Sequence, residues 1–252
     1  MSLDGEPCWI QLTADDVDGA ISFYGDLFGW SAGEPSEEHQ GYRMLYRADT
    51  PVAGLVPTAE GIRPSWSIFL ATRDLAGTVE RAKNAGGRVL IDPWRVGDLG
   101  TFAELADPAG AAIGAWEAGT FAGFGSRAED NAPVWFETLT TRYDEAVAFY
   151  RDAFGWDTRV MSDTPEFRYT TLGRDQDARA GILDASRFLG DQPARWQLYL
   201  QVADIDDTVA RAVSVGGELE RAAEDTPYGR MATLMDPCGL HFSVLDPHRR
   251  SS

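Results

Sequence analysis

Hydrophobic and polar positions along this chain fall into one rhythm that occurs four times. It opens with a short apolar or alternating run, first at 8–13, which reads as a strand. Asp15 and Asp16 then offer N-caps to a stretch in which Val17, Ala20, Ile21, Phe23, Tyr24, Leu27 and Phe28 recur at helical spacing. Gly29 closes that stretch where a C′ glycine is expected. Three short strands are predicted next: around Trp30, over 42–47 and over 52–56. The rhythm restarts with a strand over 67–72, a cap at Asp74 and a helix through Leu75, Val79 and Ala82. It stops at Gly86-Gly87, and strands follow near Val89, over 101–105 and over 112–116. The whole series then recurs from Val134 to Leu245. Strand, helix and three strands, four times over, predict an α+β chain with antiparallel-rich sheets rather than a doubly wound parallel one.

The recurrence is an internal duplication. WIQLTADDVDGAISFYGDLFGW, from Trp9, parallels WFETLTTRYDEAVAFYRDAFGW, from Trp135; the cores FYGDLFGW and FYRDAFGW share six of eight residues. WSIFLATRDLAGTVERAKNAGG, from Trp66, parallels WQLYLQVADIDDTVARAVSVGG, from Trp196, and the turns DPAG at Asp107 and DPCG at Asp236 close each copy. The first domain is assigned to residues 6–118 and the second to 132–247. Residues 119–131 between them are rich in glycine and charge and form a linker, whose Phe121 and Phe124 are candidates to pack back onto a domain.

These motifs (a first strand, D…A..FY…FGW, a second helix ending in GG, and DP.G near the end) resemble the vicinal oxygen chelate superfamily of glyoxalases, bleomycin-resistance proteins and extradiol dioxygenases. The resemblance spans nearly the whole chain, twice, and is similar to a tandem two-domain actinobacterial branch whose members often carry hydroxylase or lyase labels. It implies two domains, each a pair of βαβββ modules forming an open, U-shaped, antiparallel-rich barrel with ligand chemistry on the concave face. It also implies where a metal would sit, on ligands from the first, fifth and eighth strands. Carried onto this chain, those positions are Trp9, Ser67 and Gly114 in the first copy and Trp135, Gln197 and Ser243 in the second. Such residues ligate a divalent ion poorly or not at all. The expectation is therefore no metal and no cofactor.

Strand alternation gives the residues expected to line each cup. In the first they are Trp9, Gln11, Ser67, Phe69 and Trp116, with Gly114 leaving a space where a ligating side chain would stand. In the second they are Trp135, Glu137, Gln197, Tyr199, Gln201, His241 and Ser243, a more polar set. Glu137 and His241 are the candidate acid–base groups. The blander alternatives are aromatic filler for Trp9 and Trp135, an ion pair to Arg168 or Arg230 for Glu137, and a backbone hydrogen bond for His241. The aromatics of FY and FGW are assigned to the core.

Composition narrows the partners. Forty acidic against 22 basic residues give a net charge of −18, which offers nucleic acid or an anionic membrane no electrostatic support. Two cysteines, Cys8 and Cys238, make no disulfide framework, and three histidines are too few for two-histidine sites in both copies. The opening MSLDGEPCW lacks the charge and apolar run of a secretory signal, so a cytoplasmic protein is expected. The expected partner is a small molecule, and the expected assembly is a monomer with paired domains or a homodimer. Three functions fit. The first is a metal-free binder of a small aromatic or heterocyclic compound. The others are a metal-independent lyase, isomerase or hydroxylase using Glu137 and His241, and a non-catalytic regulatory or interaction module.

Overall fold

Asp16 opens the first helix by accepting the amide of Gly19 at 2.9 Å, and Gly29 ends it in the left-handed conformation at φ 68°. Between them Ala20, Phe23, Tyr24, Leu27 and Phe28 are buried, so α1 (Val17–Phe28) holds to the sheet by one apolar face. The same logic builds α2 (Leu75–Asn84), capped by Asp74, α3 (Tyr143–Phe154), closed by Gly155, and α4 (Ile205–Ser214), capped by Asp204. Around them run β1 (Pro7–Ala14), β2 (Trp30–Ala32), β3 (Arg43–Arg47), β4 (Thr50–Pro57), β5 (Ser65–Thr72), β6 (Arg88–Val96), β7 (Gly100–Ala106) and β8 (Ala112–Ala118). The second copy gives β9 (Pro133–Thr140), β10 (Thr158–Asp163), β11 (Arg168–Leu172), β12 (Ala180–Asp184), β13 (Arg195–Gln201), β14 (Glu218–Thr226), β15 (Gly229–Met235) and β16 (His241–Asp246). These coordinates are a computed structural model describing residues 4–125, 127–174 and 177–250; Ser126, inside the predicted linker, lies outside them.

The four modules share one topology. In each, the first strand runs parallel to the last, β1 to β4, β5 to β8, β9 to β12 and β13 to β16, and the described pairings between the remaining strands are antiparallel. Eight strands of each copy make one mixed sheet, in the orders β2-β3-β4-β1-β5-β8-β7-β6 and β10-β11-β12-β9-β13-β16-β15-β14. Both sheets end in free edges, so neither closes into a barrel. The chain is α+β with two tandem copies of a paired βαβββ module, as the sequence predicts.

Compactness follows a different division from the repeats. One compact unit contains β5 to β8 with α2, the start of β1, and β9 to β12 with α3; the other contains most of β1 with α1 and β2 to β4, and β14 to β16 with α4. Each unit thus draws a module from each repeat, α2 packing on α3 in one and α1 on α4 in the other.

A buried polar knot recurs in both units. Tyr150 Oη donates to Asp107 Oδ2 at 3.2 Å and accepts the indole N–H of Trp196 at 2.9 Å. Tyr24 Oη donates to Asp236 Oδ2 at 2.9 Å and accepts the indole N–H of Trp66 at 3.0 Å. The other carboxylate oxygen of each aspartate holds its own turn, Asp107 Oδ1 accepting from Ala109 and Ala111, and Asp236 Oδ1 from Cys238 and Leu240, all at 2.9 Å. The tyrosine of each FY motif is therefore core, and it also ties the DP.G turn of the opposite repeat.

Burial, reinforced by the neighbouring aspartate, pushes both phenols well above their ordinary value. An unfolded tyrosine ionises near pH 10 while these hold their protons, so stability is full below about pH 10 and is lost as pH rises beyond it. Denaturant unfolding between pH 8 and 11 should show this fall, and Tyr24→Phe with Tyr150→Phe should flatten it; an unchanged slope in the double variant would refute the assignment.

Candidate functional site

The helix-free sheet faces carry the residues singled out by sequence. On β9, Phe136 and Thr138 are fully buried against the helical side, which turns Glu137 to the opposite face. Glu137 is buried, 6% exposed, and its Oε2 accepts a hydrogen bond from Tyr169 Oη at 2.6 Å. Neither ion pair considered for it forms: Arg168 pairs with Asp144 and Asp163, and Arg230 with Asp206 and Asp225. Tyr169 comes from β11, two strands away, and crosses β12 at Gly181, the residue in register with Glu137. A Cβ at Gly181 would fall on the Tyr169 phenol, so the bare glycine is what lets the phenol lie flat across the sheet. Tyr169 is braced in turn by Phe167, stacked at 5.6 Å.

The first copy repeats the frame with a different charge. Gln11 stands in register with Gly54, and a Cβ at Gly54 would meet Tyr42. The Tyr42/Gly54 and Tyr169/Gly181 pairs are visible in the sequence as a tyrosine and a glycine at matched places in the two repeats, a signal absent from the strand-alternation set. The same frame thus presents a neutral amide in one copy and a carboxylate in the other.

The remaining candidates fall as follows. Gln197 and Ser243 are buried, and Ser243 shares a 3.1 Å hydrogen bond with Thr233. Gln201, also buried, donates to Asp130 at 3.1 Å. Tyr199 and Trp135 are half-buried, Tyr199 in register with Ser243. His241 Nδ1 lies 2.6 Å from Glu220 on β14. In the first copy Trp9 is buried edge-on to Phe121 at 4.9 Å, and Trp116 donates its indole N–H to the Phe121 carbonyl at 2.9 Å. Phe121 of the predicted linker therefore does pack onto the domain. One expectation is corrected here. Gly114 leaves no vacancy, because a Cβ there would sit 2.7 Å from Phe69 Cγ; the Phe69 ring occupies the space.

A residue overlooked at the sequence level stands beside it. Glu104 on β7 is in register with Gly114 and accepts a long hydrogen bond from Ser67 Oγ at 3.4 Å. Burial pushes its carboxyl up from the ordinary value, with Ser67 opposing. Alternation along TFAEL, and the hairpin arithmetic through the DPAG turn, would have found it.

The cysteines carry no nucleophile signature. Cys8 is buried with its Sγ 3.4 Å from the Phe69 carbonyl. Cys238 lies on a cleft of about 260 Å³ with Asp16, Phe23 and Asp236, where burial and then Asp236 push its thiol up.

Residues 8–114 match the glyoxalase/bleomycin resistance protein/dioxygenase superfamily, and residues 134–245 match a glyoxalase-like domain. CFP32 of Mycobacterium tuberculosis, whose name carries a provisional glyoxylase assignment, is 32% identical over 250 residues, 96% of this chain and 95% of the relative. The chain belongs to the glyoxalase/bleomycin resistance protein/dioxygenase superfamily. Another superfamily relative, the anthracycline biosynthesis protein DauV of Streptomyces sp. strain C5, is 30% identical over 272 residues, 96% of this chain and 93% of the relative. Among solved structures, the Mn(II)-bound glyoxalase of Novosphingobium aromaticivorans superposes with a TM-score of 0.65 at 17% identity, covering 100% of this chain and 87% of that one. The 2,2',3-trihydroxybiphenyl 1,2-dioxygenase of Sphingomonas wittichii gives 0.66 at 14%, covering 97% and 91%. At such identities the likeness is one of fold.

Superfamily membership raises the question of a divalent ion. The positions the resemblance assigns to it hold Trp9, Ser67 and Gly114, and Trp135, Gln197 and Ser243. Among the described residues no group of three histidine, cysteine, aspartate or glutamate side chains is placed to hold a metal ion. The packing of Trp9 on Phe121, of Phe69 into the Gly114 space, and of Ser243 on Thr233 does not fit an ion at those positions. Among the described residues, no helix is long and apolar enough to cross a membrane.

Proposed function

We propose that this superfamily member binds a small aromatic or heterocyclic compound without a divalent ion, on the helix-free face of its second sheet. The observation that carries the reading is the Glu137 carboxylate, buried and oriented by Tyr169 on a face where the superfamily's ligand positions hold non-ligating side chains. A carboxylate oriented by a phenol is a strong hydrogen-bond acceptor for a hydroxyl or amine. Gln197 supplies an amide in the same compact unit. The anthracycline biosynthesis relative supports an aromatic ligand class by its name alone.

A second reading, a metal-independent enzyme, draws on two close proton partners, Tyr169 to Glu137 and His241 to Glu220, both at 2.6 Å. There Glu137 would take a proton from the ligand and later return it.

Thermal-shift and fluorescence titrations with 1,4-dihydroxyanthraquinone, and separately with Mn²⁺, Ni²⁺ and Zn²⁺, test the proposal. The aromatic should stabilise the fold and the ions should not. Glu137→Gln should weaken binding about tenfold, losing a charge-assisted hydrogen bond of about 1.5–3 kcal/mol, with little change in stability. Stabilisation by an ion in place of the aromatic, or unaltered affinity in Glu137→Gln, would overturn it. Product formation from the aromatic by the native chain, abolished in Glu137→Gln, would favour the second reading.

A further inference from the structure

The two sheets differ in where each keeps its inward carboxylate. The second has Glu137 on β9, where the first has Gln11; the first has Glu104 on β7, where the second has Thr233, each facing the eighth strand, at Gly114 and Ser243 respectively. A decayed copy of one site would lose its carboxylate rather than carry one on another strand. Two different sites are therefore built into the duplicated frame.

We infer that the first sheet holds its own ligand site, formed by Glu104, Ser67, Phe102 and Trp116, that takes an organic ammonium group attached to an aromatic or aliphatic body. On β7 and β8, Ala103, Leu105, Ile113 and Ala115 are fully buried on the side that α2 covers, so Phe102, Glu104 and Trp116 share the opposite face. Phe102 and Trp116 are direct cross-strand partners, one step along the face from Glu104. The rings are half-buried and remain reachable, while the Phe121 carbonyl fixes the Trp116 indole. Opposite Glu104 stands Gly114, so the group facing the carboxylate across the hairpin is the edge of Phe69, itself set edge-on to Phe102 at 6.1 Å. An ammonium on an aromatic or aliphatic body suits this set, since the carboxylate pairs with the charge and the Phe102 and Trp116 rings offer apolar surface to the body. It would also offset the desolvation that holds the Glu104 carboxyl above its ordinary value. Arginine and lysine are absent from this set, which argues against an anionic ligand. The site is distinct from the one proposed around Glu137, and stands or falls separately.

Titration calorimetry with 2-phenylethylammonium chloride, and with the neutral 2-phenylethanol and the anionic 3-phenylpropionate as comparison probes, tests it on the full chain. The ammonium should bind, the neutral probe roughly tenfold more weakly, and the anion not at all. Glu104→Gln should remove that preference while retaining the melting temperature, and Glu137→Gln should leave it intact. Glu104→Asp should restore part of the preference, since charge returns at a shorter reach. Equal affinity for ammonium and alcohol, an unchanged preference in Glu104→Gln, or a preference lost in Glu137→Gln instead would each overturn the inference.

Discussion

Tyr150→Phe is expected to lower the melting temperature by roughly 5–15 °C, at a cost of about 2–4 kcal/mol for two buried groups left without their partner. The hydroxyl it removes serves two others: the Trp196 indole N–H donates to it at 2.9 Å, and it donates to Asp107 at 3.2 Å. Asp107 is 2% exposed, so water cannot replace the lost donor. Burial already pushes the Asp107 carboxyl up, and Tyr150 is among the donors opposing that. Its loss should therefore raise that carboxyl further. Combining Tyr150→Phe with Trp196→Phe removes one orphan, so the double variant should cost less than the sum of the singles. Calorimetry of the four proteins measures the coupling, and strict additivity would show that the knot does not act as one network. Tyr24→Phe should behave alike, since Asp236 and Trp66 hold it at nearly the same distances.

Gly87→Ala should cost about 1–3 kcal/mol through overpacking, toward the upper end, whereas Gly217→Ala in the equivalent place should cost less. A Cβ at Gly87 would press on the Phe149 ring and lie 2.8 Å from the Ala106 carbonyl oxygen and 3.0 Å from that of Ala82. Backbone oxygens cannot swing away as a flexible side chain can. At Gly217 the corresponding distances are 3.0 Å to Ala212, 3.0 Å to Met235 and 3.1 Å to Phe23. Denaturant unfolding of both variants gives the comparison; an equal or reversed ranking would mean that the two helix ends relax differently from what their spacing implies.

These two glycines also show why the sequence spoke clearly about fold and less clearly about the site. GG after α2 and α4, FGW at the ends of α1 and α3, and DP.G are local devices whose residue types follow from local geometry, so the modules could be read from them. That the second glycine of GG admits Phe149 or Phe23 could not be read, because it depends on a helix from the other repeat. Alternation along β9 puts Glu137 on the face opposite Phe136 and Thr138, where it is buried. Its partner Tyr169 escaped notice because it reaches across an intervening strand through a glycine, a contact with no fixed spacing in the chain. Glu104 is different: it lies on β7, a strand that carries none of the positions the resemblance marks. The space expected at Gly114 was judged from the missing side chain, and the ring that fills it comes from β5.

Because each compact unit takes one module from each repeat, the segment joining the repeats does not separate two folding units. A protease that nicks there would leave the Tyr24–Asp236 and Tyr150–Asp107 knots joining the two fragments, so the halves should stay together until denatured. A gene cut at the same place would give fragments that each lack the tyrosine or aspartate their own knot needs. In the intact chain each of these four residues finds its partner across the repeat boundary, so the covalent link between the repeats keeps both knots supplied at a fixed effective concentration.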